Sequence, residues 1–103
     1  MSRKIFCTSE QLAYADRCVA LMNEIIDADI MERSRIHLQA WGRFMVGSIL
    51  RDHGWTTVAI GEYFGYNHTA VTHWLKSVET MKANPTYGVE RQIYNTLIES
   101  IGE

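Results

Sequence analysis

Leu12, Ala15, Val19, Met22 and Ile26 recur at intervals of three and four residues, the spacing at which side chains share one face of an α-helix. Thr8 followed by Gln11 has the spacing of a capping box, so a helix is predicted over about Ser9 to Ile26. Tyr14, Cys18, Leu21 and Ile25 add a second stripe, which makes the apolar face wide enough for more than one neighbour. That face is available to a protein partner or to a second copy of the chain. Asp27 to Arg35 reads as a polar connection. Leu38, Trp41, Met45 and Ser48-Ile49 then resume helical spacing until Gly54, a residue suited to the left-handed end of a helix. The second helix therefore runs roughly from Ile36 to His53. Gly42 and Gly47 within it each cost about 1 kcal/mol relative to alanine, which implies that another helix crosses closely there. Beyond the Asn84-Pro85 turn, Val89, Ile93, Leu97 and Ile101 lie four apart and predict a closing helix over about 87 to 101. No alternating strand pattern competes. The expected fold is all-α, a compact helical unit of about five helices forming one domain over residues 1–103.

The stretch from Trp55 to Lys76 has a different character. A helix-turn-helix needs a small residue where the helices approach and a turn residue that tolerates positive φ. Gly61 and Gly65, four apart, fill those roles in a motif over about residues 56–82. Asn67 is placed to cap the second helix. Ile60, Phe64, Val71, Trp74, Leu75 and Val78 supply its shared core, with Val71 plugging the angle. At 100° per residue, Thr69, His73, Lys76 and Thr80 occupy the opposite side from Val71 and Trp74. A short, polar, mildly basic stripe of this kind fits a major groove, where the first turn of a recognition helix meets base edges.

The net charge of −2 argues mildly against a nucleic-acid partner. Its distribution changes the picture. Residues 33–82 carry six basic and three acidic side chains, while the acidic excess lies in the flanking segments. At 103 residues, 47% hydrophobic and 21% charged, the chain has the make-up of a soluble globular protein. No apolar run reaches the ~18 residues of a membrane span, so no membrane partner is expected. The quickly polar start, Met1 to Thr8, is unlike a secretory signal and points to a cytoplasmic protein. Cys7 and Cys18 lack zinc-site spacing and are expected as reduced, partly buried thiols.

The string Ile60-Gly61-Glu62-Tyr63-Phe64-Gly65, followed by His68-Thr69-Ala70-Val71, resembles the C-terminal DNA-binding domain of the bacterial replication initiator DnaA. The family signature reads I-G-x-x-F-G-G-R-D-H-T-T-V. The likeness covers roughly Ile25 to Ile101 and includes Ala28-Asp29-Ile30 before Arg33-Ser34-Arg35, and Asn84-Pro85-Thr86-Tyr87. The resemblance implies a Trp-repressor-like helical fold that reads a short double-stranded element. His68 and Thr69 match the family's base-reading pair. Asn67 stands in place of its aspartate, Ala70 in place of its second threonine, and Arg33 or Arg35 in place of its minor-groove arginine. The turn is one residue shorter, and the arginine ahead of the aspartate is absent. An aspartate accepts from cytosine whereas asparagine pairs best with adenine, so a different base is expected at that step.

These readings give a sequence-specific double-stranded DNA-binding protein that acts in mobile-element, replication or transcription control. Asn67, His68, Thr69, Ala70, Thr72 and His73 are the expected base-reading positions. Arg33 and Arg35 are the minor-groove candidates. Arg43, Arg51, Thr57 and Lys76 are the phosphate contacts, which position a protein on DNA without reading sequence. Tyr63 and Tyr66, flanking the turn, either pack or touch the DNA backbone, and Trp41, Trp55 and Trp74 are read as packing residues. No enzymatic activity is expected, since His37, His53, His68 and His73 lack metal spacing and no nucleophile grouping is visible. No cofactor or ATPase is expected either: Gly42 to Gly47 is followed by Ser48 where a phosphate loop needs lysine. The rival reading is a protein-interaction module that keeps the fold without DNA binding.

Overall fold

In the computed structural model, residues 8–32 and 37–102 are described. Five helices and no strand occur among them: α1 (Ser9–Ile26), α2 (His37–Asp52), α3 (Thr57–Phe64), α4 (His68–Ala83) and α5 (Gly88–Ile101). Helix α1 begins where the capping box places it. The Thr8 hydroxyl accepts from the Gln11 N–H at 3.0 Å, and the Gln11 carboxamide accepts from the Thr8 N–H at 2.8 Å. The buried line of α1 is Ala15, Cys18, Val19 and Met22, which falls between the two stripes read from the sequence. Leu12 lies at the margin of that line and is 42% exposed. Cys18 is a buried free thiol; Cys7 lies outside the described residues.

Helix α2 is the centre of the fold, packed against α1, α3 and α4. Ten of its 16 residues are buried, far more than the single stripe of a surface helix. Its two glycines face different neighbours. A Cβ on Gly42 would meet the Ile30 and Met22 side chains, at 2.5 and 3.1 Å, and one on Gly47 would meet Trp74 at 3.2 Å. The close crossing expected from these glycines is thus made by α4 at Gly47, whereas at Gly42 the nearest approach is Ile30 of the connection after α1, with Met22 of α1 beside it.

The connection after α1 is less polar than its composition suggests, because Ile30 is fully buried within it. Its polar atoms fold the chain around that side chain. Asn23 Oδ1 accepts from the Ile30 N–H at 2.9 Å, Asp29 Oδ1 accepts from the Met31 N–H at 2.9 Å, and Gln39 Nε2 donates to the Asp29 carbonyl at 2.8 Å. Internal pairing of this kind is what lets a loop carry an apolar side chain into a core.

At the corner between α3 and α4, the cap of α3 is Thr56, whose hydroxyl accepts from the Ala59 N–H at 3.0 Å. Gly65 ends the helix at φ +82°, a left-handed conformation that side chains disfavour. Asn67 then caps α4, its carboxamide oxygen accepting from the Ala70 N–H at 3.0 Å. Gly61 is small for the sake of the turn itself rather than of a crossing helix. A Cβ there would collide with the Tyr66 carbonyl oxygen, and the Tyr66 N–H donates to the Gly61 carbonyl at 2.8 Å.

Helix α5 closes the fold against α1 and α4. Leu97 and Ile101 are buried and Ile93 is half-buried, but Val89, counted in the same sequence pattern, is 62% exposed in the first turn. Two contacts fasten the ends of this helix. His37 Nε2 pairs with the Glu90 carboxylate at 2.7 Å, and Arg17 donates to the Ile101 carbonyl at 3.1 Å. The hydrogen bond from His37 holds the Glu90 carboxyl below its usual range.

The close contact at Gly61 gives the first prediction. Gly61→Ala is expected to cost about 1–3 kcal/mol in urea unfolding, as an overpacked buried site does. Gly65→Ala, with open space around it but a left-handed backbone, should cost about 1–2 kcal/mol. A Gly61→Ala protein as stable as the parent would show that the turn does not press on α3.

Candidate nucleic-acid interface

Helix α4 has two faces of opposite character. Val71, Trp74, Val78 and Met81 are buried against α2, α3 and α5, whereas His68, Thr69, Thr72, His73, Lys76 and Thr80 are exposed. The exposed set begins at the first residue of the helix, directly after the three-residue connection Gly65-Tyr66-Asn67. No acidic residue lies in that first turn, so the positive end of the helix dipole is not countered locally. Two hydroxyls on this side are turned back onto the helix: Thr72 donates to the His68 carbonyl at 3.1 Å, and Ser77 to the His73 carbonyl at 3.0 Å.

The base-reading positions named from the sequence are therefore together, though not equivalent. His68, Thr69, Thr72 and His73 present side chains to solvent. Asn67 is exposed, but its carboxamide oxygen is committed to the Ala70 N–H, which leaves its NH2 as the group that can face outward. Ala70 is half-buried and packs on the core, so it offers little to a ligand. Phe44, which sequence reasoning passed over, sits beside this surface. Its ring is edge-on to His73 with centroids 6.1 Å apart and stacks on Trp74, also at 6.1 Å. Its half-exposed position at the α2–α4 crossing was not legible from α2 alone.

The phosphate candidates are scattered, and one of them needs correcting. Arg43 is only 5% exposed and cannot reach a ligand on the surface. Its position lies on the inward side of α2, where its guanidinium donates to the carbonyls of Ile30 at 3.1 Å and Glu32 at 2.8 Å. Arg51 and Lys76 do come together, lining a shallow groove of about 230 Å³ between α2 and α4 with Ser48, Leu75, Asp52 and Glu79. The two carboxylates temper the positive charge of that groove. Arg51 also donates to the Trp55 carbonyl at 3.0 Å, bracing the turn into α3. Thr57 is half-buried at the first position of α3, one residue past the actual cap. Arg33 and Arg35 lie outside the described residues.

Both tyrosines flanking the turn are engaged. Tyr63 Oη donates to the Asp16 carboxylate at 2.5 Å, tying α3 to α1. Burial, reinforced by that bond and by the negative charge of Asp16, pushes its phenol above the usual value of 10.0. The Tyr66 ring packs edge-on against Trp74 at 5.2 Å, beneath the Arg43 guanidinium at 5.4 Å. Trp41, Trp55 and Trp74 are all buried packing residues. No group of three or more His, Cys, Asp or Glu side chains that could hold a metal ion occurs among the described residues. No helix among them is long and apolar enough to cross a membrane.

Neither a protein-family model, nor a curated protein, nor a solved structure matches this chain.

The Tyr63 bond predicts a pH effect with a definite sign. A phenol whose folded value is raised stabilises the fold fully below its unfolded value and loses that contribution as the pH rises through the folded one. Stability should therefore decline above pH 10.0. Tyr63→Phe should cost about 1 kcal/mol near neutral pH and flatten the alkaline decline. An identical alkaline slope in parent and variant, read from unfolding midpoints, would contradict the assignment.

Proposed function

We propose that this protein binds double-stranded DNA sequence-specifically, with α3 and α4 acting as a helix-turn-helix and α4 as its recognition helix. The observation that carries the reading is the division of α4: Val71, Trp74 and Val78 are buried while His68, Thr69, Thr72, His73 and Lys76 are exposed from the helix's first turn onward. A recognition helix needs that arrangement, because a rigidly seated back allows short polar side chains to be held against base edges. In this reading His68 and Thr69 read bases, with the Asn67 NH2 beside them, and Arg51 and Lys76 hold phosphates. The N–H groups at the start of α4 add donors for an anion.

The resemblance of Ile60 to Val71 to the DnaA C-terminal domain supports the same reading and assigns the minor groove to Arg33 or Arg35. The protein would act without an ATPase, as a small regulator of replication, transcription or a mobile element. A second reading, a protein-interaction module, draws on Asp52 and Glu79 lying beside Arg51 and Lys76, and on the burial of Arg43.

With Arg43 withdrawn, about two to three phosphates remain to be neutralised, so log K should fall with log salt at a slope of about −2 to −3. Anisotropy titration of a random-sequence duplex at low salt measures this, and no binding at all favours the interaction module. On a site selected from a random duplex pool, His68→Ala is expected to cost about 1–3 kcal/mol and to relax preference at one base pair. Unchanged binding by both His68→Ala and Thr69→Ala would remove α4 from the interface.

A further inference from the structure

We infer that Arg43 is a positioning residue for the base-reading end of α4, acting through Tyr66; this rests on the DNA-binding reading above. The side chain leaves the centre of α2 and makes contacts with two chain segments that are remote in sequence. One is the connection after α1, where it donates to the carbonyls of Ile30 and Glu32 at 3.1 and 2.8 Å. The other is the turn before α4, where its guanidinium lies 5.4 Å from the centre of the Tyr66 ring.

Tyr66 is the middle residue of that turn, and each of its parts is held. Its carbonyl oxygen sits against Gly61, its N–H donates to the Gly61 carbonyl at 2.8 Å, and its ring packs edge-on against Trp74 of α4. The next residue, Asn67, caps α4 through the Ala70 N–H. A shift of the Tyr66 ring is therefore passed within one residue to the cap, and from there to His68 and Thr69. A guanidinium suits this site because it is planar and its charge is delocalised. It can lie over a ring with one face while its edges donate to carbonyls, and an ammonium does only one of these well. A cost comes with burying a cation at 5% exposure, and an arginine on the surface of α2 would avoid it. What the buried position adds is a fixed distance between the connection and the turn.

A positioning role for Arg43 is distinguishable from that of a phosphate ligand and from that of a merely stabilising residue. Arg43→Lys and Arg43→Met would be compared with the parent and with Lys76→Ala, using the full chain. The readouts are the ratio of affinities for a selected and a random duplex, the salt slope, and amide hydrogen exchange at Tyr66, Ala70 and Val71. For Arg43→Met the expected result is about a tenfold loss in the specificity ratio, the size of one weakened base contact. Its salt slope should be unchanged, and exchange at the three amides should be faster than elsewhere in α4. Arg43→Lys should recover less than half of the loss on a logarithmic scale, since it restores charge but not the planar contact. Lys76→Ala should instead lower the slope by about 1 with the ratio kept.

A slope reduced in Arg43→Met would make Arg43 a direct phosphate contact. An unchanged ratio with a lowered melting temperature, or exchange accelerated evenly over the whole of α4, would reduce it to a stabilising residue. Either result overturns the proposal. If the parent itself shows no salt-dependent binding to any duplex, the DNA reading fails first, and the parent titration alone identifies that case. If the parent binds but exchange at Tyr66, Ala70 and Val71 is untouched in both variants, the positioning role fails while DNA binding stands.

Discussion

The whole arrangement depends on how closely other elements can approach α2. A helix buried around most of its girth must admit neighbours on several sides, and two glycines make the closest approaches possible. At Gly42 the Ile30 side chain reaches the backbone of α2, and at Gly47 the Trp74 ring does the same. Trp74 belongs to α4, so the seat of the exposed polar helix is set by a missing side chain on α2. Phe44, Phe64 and Tyr66 surround the same indole, and that packing holds one face of α4 while the other stays in water.

Local capping and tertiary packing agree at the corner before α4. Gly65 takes a conformation that side chains disfavour, Asn67 supplies the acceptor that the first turn of the helix lacks, and Gly61 leaves room for the carbonyl of Tyr66. Each device is short-range, yet together they decide the direction in which His68 and Thr69 project. Tyr63 joins this corner to α1 through Asp16, and Arg43 joins it to the connection after α1. The corner is thus braced from two other parts of the fold rather than held by its own turn alone.

Charge is distributed so that the candidate interface is only weakly positive. The basic excess of residues 33–82 is partly internal, because Arg43 is spent on backbone carbonyls, and Arg51 and Lys76 share their groove with Asp52 and Glu79. In the proposed DNA-binding reading, such a surface would rely on side-chain fit more than on long-range attraction, since a few neutralised phosphates give only a modest electrostatic contribution.

Much of this was legible in the chain before folding. The capping box at Thr8, the glycine stop at Gly54, the cap at Asn67 and the division of α4 into two faces all depend on residues within one or two helical turns of each other, so local spacing determines them. Tertiary structure decided the rest, for a physical reason in each case. Ile30 lies in a segment whose composition is polar, and it is buried where Asn23 accepts from its N–H, Arg43 donates to its carbonyl and Gln39 donates to the carbonyl of Asp29. Arg43 carries the same charge as Arg51 and Lys76, and nothing in its neighbours along the chain distinguishes it. Its burial follows from the side of α2 on which it lies once α1 and α4 have taken their places. Leu12 and Val89 continue helical patterns in sequence but fall where neighbouring elements leave much of each side chain exposed. Periodicity says which residues share a face, while the depth of each along that face is set by what packs against it.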